Sequence, residues 1–395
     1  MSETPQLRLH RAAVSWRTTW WVVTLTASDG CTGLGESSDA GPGARRVWAE
    51  VDALLREGAT VEETIALLGE GRSDGDPATD ADGDDPQRAS NPDRAPAPAP
   101  ALARATVRGA LEQALTDLRA RRLGRPLWQV LGAEEARPVH RYANINRALR
   151  TRTPDDFART AAAAEAAGYT AVKCAPFDGL PPALRLREGL ARARAVRRAL
   201  RPSTALMVDA HLLLGVDEVL TAAPALAALD LRWLEDAVAL DDAEGLAAVH
   251  AAGIAPLAGG EFATGPAQVR AALRSGHLGW LLPDVKHSGG YAAALRLADE
   301  ARAAGVHVSL HNPSGPVATA AGLHLAAACG PDAETEFAFG EASWRGRSVT
   351  PAEPADGAWM TPPQGAGLGI DLDHHWQPHP LPHLDGAAWR LDLVI

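Results

Sequence analysis

Cysteine is scarce in this sequence: Cys31, Cys174 and Cys329 are the only three in 395 residues, and they share no paired spacing. That argues against a disulfide framework and a cysteine-bound zinc cluster, and it suggests a reducing compartment. No apolar run reaches bilayer-spanning length and no charged-then-apolar leader opens the chain, so a cytoplasmic protein without membrane contact is expected. Positive charge is also short, with 38 Lys and Arg against 49 Asp and Glu and a net charge of −11. A nucleic-acid or anionic-membrane partner is therefore not expected. A small anionic substrate remains compatible, because a bound cation can reverse the sign of charge locally. Large apolar side chains nearly vanish between Gly69 and Pro100, where Asp, Gly and Pro dominate. Such a stretch cannot bury enough surface to order itself, and 69–100 reads as a disordered insertion.

What is present is a rhythm of acidic residues. Asp209, Glu235 and Glu261 follow one another at intervals of 26, each closing a short apolar stretch. An interval of that size holds one strand, one helix and two short loops, a single β/α unit. From Val139 onward strand candidates recur at His140–Asn144, Ala171–Ala175, Leu206–Asp209, Leu231–Glu235, Pro256–Gly260, Trp280–Asp284, His307–His311 and Glu334–Phe337. Ala-rich amphipathic helices separate them, so the sheet should be parallel, and eight strands would close it into a barrel. An open doubly wound sheet is the rival. It offers no common place for polar residues delivered from successive strand ends. Before residue 136 the pattern differs: strands near Leu7–Glu36, helices over Ala44–Leu55 and Val61–Leu68, and a long helix over Leu102–Arg122.

Read in order, the strand ends carry Asn144 and Asn146, Lys173, Asp209 with His211, Glu235, Glu261, Asp284, His311 and Glu336. In a parallel barrel all of them would point into one mouth. Three converging carboxylates, Asp209, Glu235 and Glu261, suit a hard divalent cation such as Mg²⁺. Asp284 and His311 lie on the ends of adjacent expected strands. A carboxylate holding one ring nitrogen would orient the imidazole and raise its basicity, as a general base requires. Lys173 enters from the other side, either as a second base with a pKa lowered by burial beside a cation or as a charged clamp for a carboxylate.

Met207-Val208-Asp209, Trp233-Leu234-Glu235 and Gly259-Gly260-Glu261 resemble the three metal-ligand strands of the enolase superfamily. Pro283-Asp284-Val285-Lys286-His287-Ser288-Gly289-Gly290, followed by Val308-Ser309-Leu310-His311-Asn312, is similar to its mandelate racemase subgroup, which carries an Asp–His dyad here. Gly33-Leu34-Gly35-Glu36, Pro126-Leu127-Trp128 and Gly367-Leu368-Gly369 extend the likeness over most of the chain. The resemblance implies an α+β capping domain over residues 1–135, a (β/α)₇β barrel over 136–350, and a segment 351–395 that completes the cap. It also implies Mg²⁺, a small-molecule carboxylate substrate, a homo-oligomer, and chemistry that begins with loss of the proton alpha to that carboxylate. Substrate contacts are expected from Glu336, Asn144, Asn146 and, in the cap loop Ser15-Trp16-Arg17-Thr18, Arg17.

Two departures from the subgroup bear on the reaction. Where it commonly has Lys-x-Lys, this chain reads Lys173-Cys174-Ala175, so the later lysine is missing. Where many relatives have Asn, two residues after the first metal ligand, this chain has His211, which is similar to sugar-acid dehydratases of the galactonate type. There the histidine protonates the departing hydroxyl. The expectation is a Mg²⁺-dependent dehydratase of an aldonate or aldarate, with a racemase, epimerase or cycloisomerase using Lys173 and His311 as the alternative. A binding protein that kept the scaffold and lost turnover is a third class.

Overall fold

The computed structural model describes residues 5–15, 18–41, 43–69, 99–373, 376, 378 and 379. The expected insertion lies almost wholly outside the described residues, as do Trp16 and Arg17. The N-terminal part opens with β1 (Gln6–Ala13), β2 (Thr19–Thr26) and β3 (Thr32–Glu36), then α1 (Ala44–Arg56), α2 (Val61–Gly69) and α3 (Ala99–Arg122). The run Thr-Trp-Trp-Val-Val-Thr-Leu-Thr of β2 is β-branched and aromatic, and it pairs antiparallel with both neighbours. Helix α3 lies directly on β3. A Cβ on Gly33 or Gly35 would collide with the carbonyl oxygens of Ala114 or Ala110, so only glycine lets the two backbones meet.

A short helix α4 (Leu127–Val130) leads into eight parallel strands: β4 (Val139–Asn144), β5 (Ala171–Cys174), β6 (Ala205–Asp209), β7 (Leu231–Glu235), β8 (Leu257–Gly259), β9 (Leu278–Leu281), β10 (His307–Leu310) and β11 (Glu334–Ala338). Pairing of β11 with β4 closes the ring. Seven helices alternate with them: α5 (Pro154–Ala166), α6 (Pro182–Ala199), α7 (Val216–Ala227), α8 (Ala243–Ala251), α9 (Pro266–Ser275), α10 (Tyr291–Ala303) and α11 (Pro316–Cys329). The fold is thus the expected (β/α)₇β barrel with an N-terminal cap. Most expected boundaries lie within two or three residues of the observed ones. Four short strands follow, β12 (Val349–Thr350), β13 (Trp359–Met360), β14 (Asp371–Leu372) and β15 (Pro378–His379), and the last pairs with β1 in the cap sheet.

Strand alternation sets both the plug of the barrel and its mouth. Tyr142, Ala171, Met207 and Trp233 pack inside with Ala258, Trp280 and Leu282, and the Trp233 and Trp280 rings meet at 4.9 Å. Two residues further along four of these strands stand Asn144, Lys173, Asp209 and Glu235. Apolar rings therefore floor the site while the next inward positions supply its charge. The cap is fastened beside that mouth: fully buried Glu36 accepts N–H groups of Gly315 (2.7 Å) and Ala318 (2.8 Å) at the start of α11. Asp39 binds Arg147 and Ser314. Burial pushes its carboxyl up, but the arginine outweighs it and holds it at about 2.

Candidate active site

Lys173 is buried among carboxylates. Its Nζ lies 2.8 Å from Glu235 Oε1, 2.9 Å from Glu336 Oε1 and 3.5 Å from Asp209 Oδ2. Of the two expected states of Lys173, base or charged clamp, these neighbours favour the clamp. Burial alone would lower its pKa, but Glu235 and Glu336 outweigh burial and hold the ammonium well above the ordinary lysine range. Glu336 also accepts from Asn144 Nδ2 (2.6 Å) and from the Asn312 N–H (2.9 Å). Asn144 Oδ1 takes the Asn146 N–H, and Asn146 Oδ1 takes the Ala175 N–H. Both asparagines thus brace the rim of the mouth from within the protein. Glu334, on the same strand, instead meets His140 and Arg232, and Glu341 lies 3.5 Å from Arg147.

Asp209, Glu235 and Glu261 sit at or just past the ends of three consecutive strands, with Asp209 directly opposite Glu235 in register. Asp209 and Glu261 group with His211, their donor atoms mutually within 4.8 Å. Glu235 stands beside them with Oε1 toward Lys173 and Oε2 accepting the Trp233 indole N–H at 2.9 Å. Among the described residues Asp209 Oδ2 has no hydrogen-bond partner, its 3.0 Å contact with His211 Nε2 being poorly aligned for one. Burial, then repulsion from Asp209, drives the Glu235 carboxyl well above its ordinary range. Asp236 behind it is raised to about 8 by burial and by Glu261. Buried hard-oxygen donors, an orphaned carboxylate oxygen and mutual repulsion together describe a cluster short of positive charge, and a divalent cation fits it.

Across the barrel Asp284 gathers donors. Its Oδ2 receives His311 Nδ1–H at 2.8 Å and Lys286 Nζ at 2.7 Å, and its Oδ1 receives the Lys286 backbone N–H. Burial would raise this carboxyl, yet His287, Lys286 and His311 hold it well below the usual range. His311 Nε2 points to Glu261 Oε2, 3.0 Å away. Burial opposes charge on the ring, but Glu261 and Asp284 raise it to about 10. Burial lowers the His287 ring to about 4, with Asp284 opposing, and its Nδ1 touches Thr106 of α3 at 2.9 Å.

Two side chains of this site escaped the sequence reading, Asp178 and Asp236. Lys286, whose parity with Asp284 already sends it toward the mouth, pairs with that carboxylate. Asp178 lies in the loop after β5, outside any strand rhythm. It meets His211 Nδ1 at 2.7 Å, and burial notwithstanding, Asp178 and Asp209 hold that imidazole well above its ordinary range.

The profile of the enolase C-terminal domain-like family matches residues 156–376. D-galactonate dehydratase of Ralstonia nicotianae is 26% identical over 272 residues, covering 67% of this chain and 70% of that protein. D-galactarolactone cycloisomerase of Agrobacterium fabrum is 29% identical over 288 residues, covering 68% and 72%. A crystal structure of a mandelate racemase/muconate lactonizing enzyme from Jannaschia sp. superposes with a TM-score of 0.73 at 24% identity, over 94% of this chain and 95% of that one. That likeness speaks for the fold. Among the described residues no helix is long and apolar enough to cross a membrane.

Proposed function

Because the chain belongs to the enolase C-terminal domain-like family, we propose that it is a Mg²⁺-dependent dehydratase of a sugar acid, an aldonate or an aldarate. The observation that carries this reading is a pair of imidazoles, each held by a carboxylate, on strands four apart in a ring of eight: His211 after β6 and His311 after β10. Positions four apart in such a ring face one another, so the two rings approach a bound substrate from opposite sides.

With Glu261 drawn onto the cation, Nε2 of His311 would lose the carboxylate that holds it protonated; Nδ1–H stays on Asp284, and Nε2 takes the proton from the carbon alpha to the substrate carboxylate. The electron pair of that C–H bond delocalises into the carboxylate and then returns to expel the hydroxyl on the next carbon. His211 gives its proton to that hydroxyl, so water leaves and the resulting enol tautomerises to a 2-keto-3-deoxy acid. An acid at this point is worth ~10²–10⁴ in rate. Mg²⁺ held by Asp209, Glu235 and Glu261 would supply fixed positive charge for the substrate oxygens as their charge grows. Lys173, kept cationic by its neighbours, grips the substrate carboxylate and does not serve as a base. The likeness to a D-galactonate dehydratase supports dehydration as the reaction.

Incubation with a panel of aldonic and aldaric acids and Mg²⁺, read as 2-keto-3-deoxy products, is expected to find a substrate. Deuterium exchange at C2 in heavy water with no elimination from any acid would instead favour an isomerase using Lys173 and His311. The likeness to a cycloisomerase motivates that second reading.

A further inference from the structure

Resting on the dehydratase reading, we infer that Asp178 is a positioning residue that engages the Nδ1–H of His211 and so leaves the ring's other proton, the one it gives up, on Nε2 turned into the mouth. His211 and Leu212 both have left-handed backbones, φ 47 and 53, a conformation that side-chain-bearing residues adopt at a cost. The turn is tied on both sides: His211 N–H donates to Asp209 Oδ1 (2.9 Å) and Leu212 N–H to Asp236 O (2.8 Å). It folds the ring back so that each nitrogen faces a carboxylate, Nδ1 at 2.7 Å from Asp178 Oδ1 and Nε2 at 3.0 Å from Asp209 Oδ2. An ionised carboxylate only accepts, so a 2.7 Å contact requires a proton on Nδ1.

Asp178 is itself built in. Buried Arg192 donates to the carbonyls of Pro176 and Asp178, both at 2.9 Å. Buried Arg152 donates to Ala175 O at 2.7 Å and reaches within 3.6 Å of Asp178 Oδ2. Asp156 fixes Arg152 in turn by accepting the backbone N–H groups of Arg150, Thr151 and Arg152. Both guanidinium groups lie over the Phe157 ring. One carboxylate oxygen of Asp178 thus faces a guanidinium and the other an imidazole. Asp284 does the same for His311, with Lys286 as its cation, so the two sides of the mouth share one plan: cation, carboxylate, imidazole.

The test is ¹⁵N-histidine NMR of the full-length, Mg²⁺-loaded protein, with His211→Gln to assign the ring. Wild type is expected to show Nδ1 of His211 protonated. In Asp178→Ala, which removes the acceptor and leaves Asp209 beside Nε2 as the ring's carboxylate, the Nδ1 proton should be lost, and Asp178→Glu should retain it. An unprotonated Nδ1 in wild type, or a protonated Nδ1 surviving in Asp178→Ala, would overturn the inference. On a sugar-acid substrate, Asp178→Ala should slow elimination ~10²–10⁴-fold while leaving exchange at C2, the work of His311, nearly intact. Equal loss of both would also overturn it. The NMR result needs no substrate, so its failure is distinct from a failure to find any acid that is dehydrated.

Discussion

Lowering the pH from 7.5 to 5 should weaken the junction of cap and barrel through one side chain, His324 of α11. Its buried ring is fully satisfied as a neutral group: Nδ1 accepts from the Trp128 N–H at 3.0 Å, and Nε2–H donates to Leu368 O at 3.1 Å. A second proton would have to enter Nδ1 against an N–H already aimed there. Burial holds the ring at about 4, against 6.5 for a free histidine, and the Leu368 carbonyl offsets only part of that. Between those two values the unfolded chain binds a proton that the folded one refuses. The stability from the neutral ring is therefore complete above pH 6.5 and is lost as the pH falls toward 4. At pH 5, about 1.5 units below the unfolded value, the loss is about 2 kcal/mol. Urea unfolding followed by tryptophan fluorescence, at pH 7.5 and 5, measures it in wild type and in His324→Gln, which keeps polar groups but does not titrate. Wild type should lose about 2 kcal/mol more than the variant over this range. Equal losses in the two proteins would mean that the His324 ring takes up its proton as readily folded as unfolded.

Other outcomes follow from the same contacts. Lys286→Met leaves Asp284 buried with one cation fewer and should cost about 3 kcal/mol, read from urea midpoints at pH 7.5. Gly35→Ala forces a methyl into the Ala110 carbonyl and should cost about 1–3 kcal/mol, with a matching drop in thermal midpoint and a fold otherwise intact by circular dichroism. Trp233→Phe removes the indole donor from Glu235 and should weaken Mg²⁺ binding about 10–100-fold by calorimetry, alongside a stability loss of about 1–3 kcal/mol from the space left in the barrel plug.

The barrel was legible because its units repeat. The interval from Asp209 to Glu235 to Glu261 counts out β/α units, and strand parity then sends those side chains inward. The Asp284–His311 dyad followed from the same count, and its 2.8 Å contact is present. The state of Lys173 was not legible, since its pKa depends on Glu235 and Glu336, which approach from other strands and defeat the effect of burial. Nor was Asp178, a loop residue whose place is set by Arg152 in the loop before α5 and Arg192 on α6. Asp236 escaped because alternation turns it away from Glu235, and only its left-handed backbone, φ 43, keeps it among the acids. Arg17, the expected cap contact, lies outside the described residues.

If carboxylates distant in sequence share one divalent cation between two opposed imidazoles, anomalous diffraction from crystals grown with Mn²⁺ should show a single strong peak in the barrel mouth, bounded by Asp209, Glu235 and Glu261, which disappears in Asp209→Ala. A mouth without a peak at saturating Mn²⁺, or an ion held by other residues, would contradict that arrangement.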